Sequence, residues 1–228
     1  MPTSLLTRKV NTRQTRMVQD PELNGLKSEI KAHIDDIKDK TQLRALFNNP
    51  ANPDEVKIKD FISRAQIVWI CATLDYYLHK IQSICIFKVY NKQIPQTSFC
   101  NKIKVPLDIV IDLSNGNSTT FIEGVYESLK NYSYININTI EDIAQFIGID
   151  IKNLAVSLYP SEPSKKKAHN KMNSILKEIF ERRHVIAHKM DIISGGQPQP
   201  ITEALVDFYI DEIEKFILKF HENVELLI

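Results

Sequence analysis

Only six glycines occur in 228 residues, and apolar side chains recur at three- and four-residue steps with no convincing period-two alternation. Glycine-poor sequence with that period does not build hairpins or sandwiches, so the pattern predicts an all-α helical bundle. A first helix is expected from about residue 22 to 47, because Asp20-Pro21 is a start signal and the Asn- and Pro-rich run from Asn48 to Pro53 is a turn. The Asp54-Glu55 pair then suits the positive end of a second, long helix reaching Tyr90. Within it Phe61, Ile67, Ile70, Cys71, Leu74, Leu78, Ile81 and Cys85 form a core-facing stripe, with Asp75 on its flank. Trp69, Tyr76 and Tyr77 read as packing residues of the same helix.

Shorter helices are expected near 118–130, 139–147 and 150–158, between punctuation such as Ser114-Asn115-Gly116-Asn117. Another long helix should run from Ser164 to about Met190. A Gly- and Pro-containing loop from Ser194 to Pro200 follows, then a last amphipathic helix to about Phe220. The organisation expected is a basic arm over residues 1–20 and a single helical domain over 21–228.

Composition narrows the setting. The chain is 43% hydrophobic and 25% charged with a net charge of +1, which excludes a disordered polymer and any uniform polyanion-binding coat. Cys71, Cys85 and Cys100 match neither a disulfide framework nor a zinc knuckle, which suits a reducing compartment. The longest apolar run, Ile67 to Leu74, falls far short of the about 20 residues of a membrane span. A cytoplasmic protein without membrane contact is the expectation. Charge is nevertheless segregated: residues 163–190 hold eight Lys or Arg against two Glu, and 201–228 hold seven acids against two Lys. Pairing between those two helices is the simplest reading, and a basic groove for a phosphate backbone is the alternative.

Nucleotide loops, GxGxxG, HExxH and GxSxG are absent. The informative segment is Glu181-Arg182-Arg183-His184-Val185-Ile186-Ala187-His188. With about 100° per residue and Met172 at zero, Leu176, Ile179, Ile186 and Met190 fall within about 40°, and Arg183 lands among them at about 20°. An arginine on an apolar face needs an anionic partner, and Asp75 is the candidate. Arg182, at about −80°, should be an edge residue, solvated or touching phosphate. His184 and His188 project at about 120° and 160°, with Lys177 and Glu181, so the two imidazoles are neighbours. Lys177 and Lys189 are candidate RNA contacts.

Imidazole can exchange a proton with a hydroxyl, and a guanidinium can hold phosphate oxygens, a combination suited to RNA cleavage without a metal. The 2′-hydroxyl would attack the adjacent phosphorus and leave a 2′,3′-cyclic phosphate. Arg183 and His188 diverge by about 140° on a straight helix, so a two-fold dimer that pairs two such helices would help assemble the site. A competing arrangement is a divalent metal on His184, His188 and Asp191, disfavoured by the adjacent arginines. His33, His79, His169 and His221 read as ordinary surface or interfacial residues.

Arg183-His184-Val185-Ile186-Ala187-His188 resembles the Rx4-6H signature of the HEPN superfamily, in the form of Arg, a polar residue, three more residues and His. With Glu181-Arg182 ahead of it, and with Arg64 to Leu78 similar to that group's first core helix, the chain resembles the RiboL-PSP-HEPN group over residues 55 to 220. The resemblance implies a helical bundle, usually a homodimer, whose paired motifs form a metal-independent endoribonuclease centre that needs no cofactor. It places Arg183 and His188 in catalytic roles, His184 in the polar position after the arginine, and Asp75 where it orients the arginine, with Arg182 in support. It also implies an RNA substrate, a toxin or antiviral-defence role, and an antitoxin or sensor as a further partner. Non-catalytic members act as RNA- or nucleotide-binding or scaffold modules, which is the alternative function.

Overall fold

The computed structural model describes residues 20–102, 104–129, 133–189, 191–192 and 196–228. Apart from Asp20, the basic arm expected over residues 1–20 lies outside the described residues. Among those described there are eight α-helices and no β-strand: α1 (Pro21–Ala45), α2 (Pro53–Tyr90), α3 (Leu107–Ser114), α4 (Ser118–Leu129), α5 (Ile137–Ile147), α6 (Ile151–Leu158), α7 (Lys165–Lys189) and α8 (Glu203–Glu225). A 3-10 turn at Ser98–Lys102 precedes α3. The all-α expectation holds, and the long helices begin and end close to their expected limits.

The caps explain those limits. The Asp20 side chain accepts the Leu23 N–H at 3.1 Å ahead of Pro21, and the Asn52 side chain accepts the Asp54 N–H at 3.1 Å ahead of Pro53. Each cap satisfies an amide that the first helical turn cannot, and each proline sits where its missing N–H costs nothing. Asp20 does a second job, pairing with the buried ammonium of Lys88, which Glu22 also approaches at 3.3 Å. Burial pushes the Asp20 carboxyl up, but Lys88 and the Leu23 amide outweigh it and hold it below its usual value.

Helix α2 is the axis of the bundle and touches α1, α4, α5, α7 and α8. That is why it is apolar on most sides through its second half, where Tyr77, Leu78, Ile81, Ile84, Cys85 and Ile86 are all buried. The expected stripe from Ile67 to Cys85 is buried throughout. Phe61, expected in it, is 72% exposed, because it lies about 120° round the helix from Ile67. Trp69, expected to pack, is 46% exposed, whereas Tyr77 is in the core.

On α1, Leu23, Leu26, Ile30, Ile34 and Ile37 face α2 at three- and four-residue steps. The acids of α8 are answered by α1 and α2 and not by α7. Lys27 meets Glu225 at 3.3 Å, Lys38 meets Asp211 at 3.2 Å, Arg44 pairs with Asp207, and Lys59 pairs with Glu203. Pairing between the basic and acidic helices is therefore corrected: among the described residues α7 has no ion pair to α8, and Lys165, Lys166 and Lys167 have none at all. The sequence pattern also missed α3 and the 3-10 turn. Both are short, and α3 has no fully buried residue on which a periodic signal could rest.

Candidate functional site

Helix α7 carries the motif past the centre of α2. Its buried residues, Met172, Leu176, Ile179 and Phe180, seat it, and its last turns leave the core beside a cavity of about 170 Å3. That cavity is lined by Ala72, Asp75, Tyr76 and His79 of α2, Tyr126 of α4, Ser133, Ile135 and Arg183. Arg183 is half-buried, and its Nε is shielded from water with no hydrogen-bond partner among the described residues. Asp75 shares the cavity but is engaged elsewhere, accepting the Tyr134 N–H at 2.6 Å and lying 3.8 Å from His79 Nδ1. The expected Arg183–Asp75 ion pair is thus corrected: the two face one cavity without bonding. An unpaired guanidinium over a space this size can take a phosphate group, while a whole small-molecule ligand needs about 300 Å3 or more.

The neighbouring arginine does what Arg183 was expected to do. Arg182 is only 6% exposed, and its Nη2 donates to Asp191 Oδ2 at 2.8 Å and to the carbonyls of Gln199 and Pro200, both at 3.1 Å. Arg64 of α2 reaches the same carboxylate oxygen through Nε at 2.7 Å and the Gln199 carbonyl at 2.9 Å. Asp191 is fully buried, at φ +60°, a left-handed conformation that Asp tolerates better than most side chains. Its N–H returns to the Val185 carbonyl at 3.1 Å, and its carbonyl accepts the Gln199 N–H at 2.7 Å. One residue thereby ties the end of α7 to α2 and to the segment leading into α8. The expectation of a solvated Arg182 fails because that segment folds over it, a contact no helical wheel contains.

The same finding dismantles the metal arrangement. Asp191 is sealed under two arginines, while His184 and His188 are exposed on the other face of α7. Among the described residues no group of three His, Cys, Asp or Glu is placed to hold a metal ion. The two imidazoles are neighbours as expected, with ring centroids 4.6 Å apart and planes tilted by 47°. His184 also borders a cleft of about 720 Å3, with Lys177 and Glu181. His188 and Lys189 are exposed further along the helix and border neither cavity.

Of the other histidines, His79 and His221 are buried and not superficial. His79 places its ring nitrogens against the carbonyls of Asp75 at 2.8 Å and Leu129 at 3.1 Å, which ties α2 to the end of α4. His169 joins α7 to Glu141 of α5 at 2.9 Å. Cys71 lies under the site, and burial pushes its thiol up to about 12 despite Arg183 nearby, so it is no nucleophile. The residues missed from sequence are Arg64, Tyr126, Ser133 and Ile135. Arg64 opened the segment similar to the family's first core helix, but no sequence signal pointed to its partner; the other three belong to elements whose approach to α7 is set by packing.

The family model described as RiboL-PSP-HEPN matches residues 22–225. No curated protein and no solved structure matches the chain. The match supports a nuclease-like or RNA-binding helical module. Among the described residues no helix is long and apolar enough to cross a membrane.

Proposed function

The chain belongs to the RiboL-PSP-HEPN family, and from that premise we propose that it is a metal-independent endoribonuclease. The observation that carries this reading is Arg183, unpaired among the described residues over a phosphate-sized cavity, with the exposed His184 and His188 next to it and five residues on along the same helix. Arg183 holds the scissile phosphate and stabilises the charge that grows on its non-bridging oxygens. His188 takes the proton of the 2′-hydroxyl, whose oxygen then bonds to phosphorus. The bond from phosphorus to the 5′-oxygen breaks, and that oxygen is protonated as it leaves. The products are a 2′,3′-cyclic phosphate and a 5′-hydroxyl. His184 supports the second imidazole, Asp75 keeps the cavity wall in place through Tyr134, and Lys189 meets the RNA backbone, while Lys177, paired with Glu181, borders the RNA without adding net charge. Arg182 supports the site from below by anchoring the helix end.

The active form is a homodimer. Phe61 and Trp69 stand exposed on α2, and the groove beside Trp69 shares Ala72 and Tyr76 with the Arg183 cavity. A second copy on this face buries both aromatics and brings its own motif helix toward the same cavity. Family resemblance supports a toxin or antiviral-defence role in the cytoplasm, restrained by an antitoxin or sensor.

The test is end-labelled RNA incubated in excess EDTA with the protein and its Arg183→Ala and His188→Ala variants. Cleavage to cyclic-phosphate ends by the parent, falling about 100- to 10,000-fold in His188→Ala, is expected. Binding without new ends would replace the enzyme with a non-catalytic RNA-binding module. Trp69→Glu is expected to sediment as a monomer and lose cleavage; a fully active monomer would remove the dimer from the mechanism.

A further inference from the structure

The cleft of about 720 Å3 is used by neither Arg183 nor His188. Its α7 wall presents Lys177, Glu181 and His184, and its opposite wall is the start of α5 with Asn136 and Asn138. Ile135 lines both this cleft and the Arg183 cavity, so the two spaces adjoin. The cleft is therefore the space into which an RNA chain held by a phosphate on Arg183 can continue.

The chemistry of the walls separates a base from a second phosphate. Lys177 and Glu181 lie 3.7 Å apart and cancel, so the cleft offers no cationic excess. Ile135, Ile137, Phe180 and Val185 give it apolar surface. The Asn136 side-chain oxygen accepts the Asn138 N–H at 2.8 Å as the cap of α5, which leaves its NH2 without a partner among the described residues. The Asn138 side-chain amide, exposed, has no partner there at all. An amide sets a donor and an acceptor side by side, the pattern that matches the edge of a nucleobase, and unstacked bases of single-stranded RNA are recognised by such edges over apolar walls. The volume falls within the about 300–1,000 Å3 of ligand sites.

We propose that this cleft is a nucleobase site, in which Asn138, with Asn136 beside it, reads the base of the nucleotide next to the phosphate on Arg183. The proposal rests on the reading of Arg183 as the phosphate contact, and it makes cleavage base-selective. The test uses the full chain carrying His188→Ala, so that RNA survives, and fluorescence anisotropy with labelled nine-nucleotide homopolymers of A, U and C. The best and worst of the three are expected to differ by about tenfold or more in affinity. Adding Asn138→Ala should bring them within about threefold by weakening the best while leaving the worst. Asn136→Asp, which keeps a good helix cap but removes the NH2, should narrow the difference in part. Equal binding of all three RNAs, no binding, or discrimination that survives both substitutions overturns the site. Cleavage of the same RNAs by the parent protein is scored separately: selective binding without cleavage sinks the nuclease reading and keeps the base site, and unselective cleavage does the reverse.

Discussion

Arg182 and Arg183 are adjacent, identical in chemistry, and opposite in circumstance. Each leaves its Nε buried and unbonded among the described residues. Arg182 is nevertheless closed in with Asp191, Arg64 and two backbone carbonyls, while Arg183 makes no such bond there and faces a cavity. A buried guanidinium bonded to a carboxylate and two carbonyls holds structure together; one that faces a cavity without such bonds is available to a ligand. Successive residues on a helix diverge by about 100°, so one turn can serve the core on one side and chemistry on the other.

The contrast can be broken by substitution. Asp191→Ala strands the buried charge of two arginines and is expected to cost about 3–5 kcal/mol, and Arg182→Ala, which leaves Asp191 paired with Arg64, is expected to cost somewhat less, about 3 kcal/mol. In a chain of this length that lowers the melting temperature by about 6–20 °C. Arg183→Ala should melt within about 2 °C of the parent, and equal losses at 182 and 183 would erase the distinction. In RNA cleavage Arg183→Ala should lose about 100- to 1,000-fold, comparable to removing one oxyanion donor, and Arg183→Lys should recover only part of it.

The histidines sharpen the comparison. His184 and His188 are open, whereas His221 is buried between Tyr77 and Glu225 with Nε2 unbonded, and burial holds it below its usual 6.5 despite the carboxylate 3.6 Å away. The unfolded chain then takes up a proton at a higher pH than the folded one. Its contribution to stability is complete above 6.5 and is lost as pH falls from there through the lowered folded value. Urea midpoints between pH 7.5 and 5 should show that decline, and His221→Gln should flatten it; an unchanged slope would assign the decline elsewhere. The smallest effect is expected from Lys189→Gln, which should reduce the slope of log affinity against log salt by about 0.7 and weaken all RNAs alike.

Much of the fold was legible because each long helix announces itself locally. Proline and Asx caps mark the starts of α1 and α2, and three- and four-residue apolar steps mark the faces that meet. The short α3 was illegible because it buries nothing completely. At the site, the pairing of His184 with His188 followed from a four-residue step within one helix. The roles of the two arginines did not, because they depend on which distant segment comes to rest on which side of α7.

The sequence by itself determined the helices, the apolar faces and the Arg183 to His188 segment, since all of these arise between residues within a few turns of one another. Only the tertiary structure decided that Asp191 serves two arginines and not a metal, that Asp75 answers Tyr134 and His79, and that the acids of α8 pair with α1 and α2. Charge and hydrogen-bond partners are chosen by what packing brings within reach after the core closes, and Arg64 reaches Asp191 from 127 residues away.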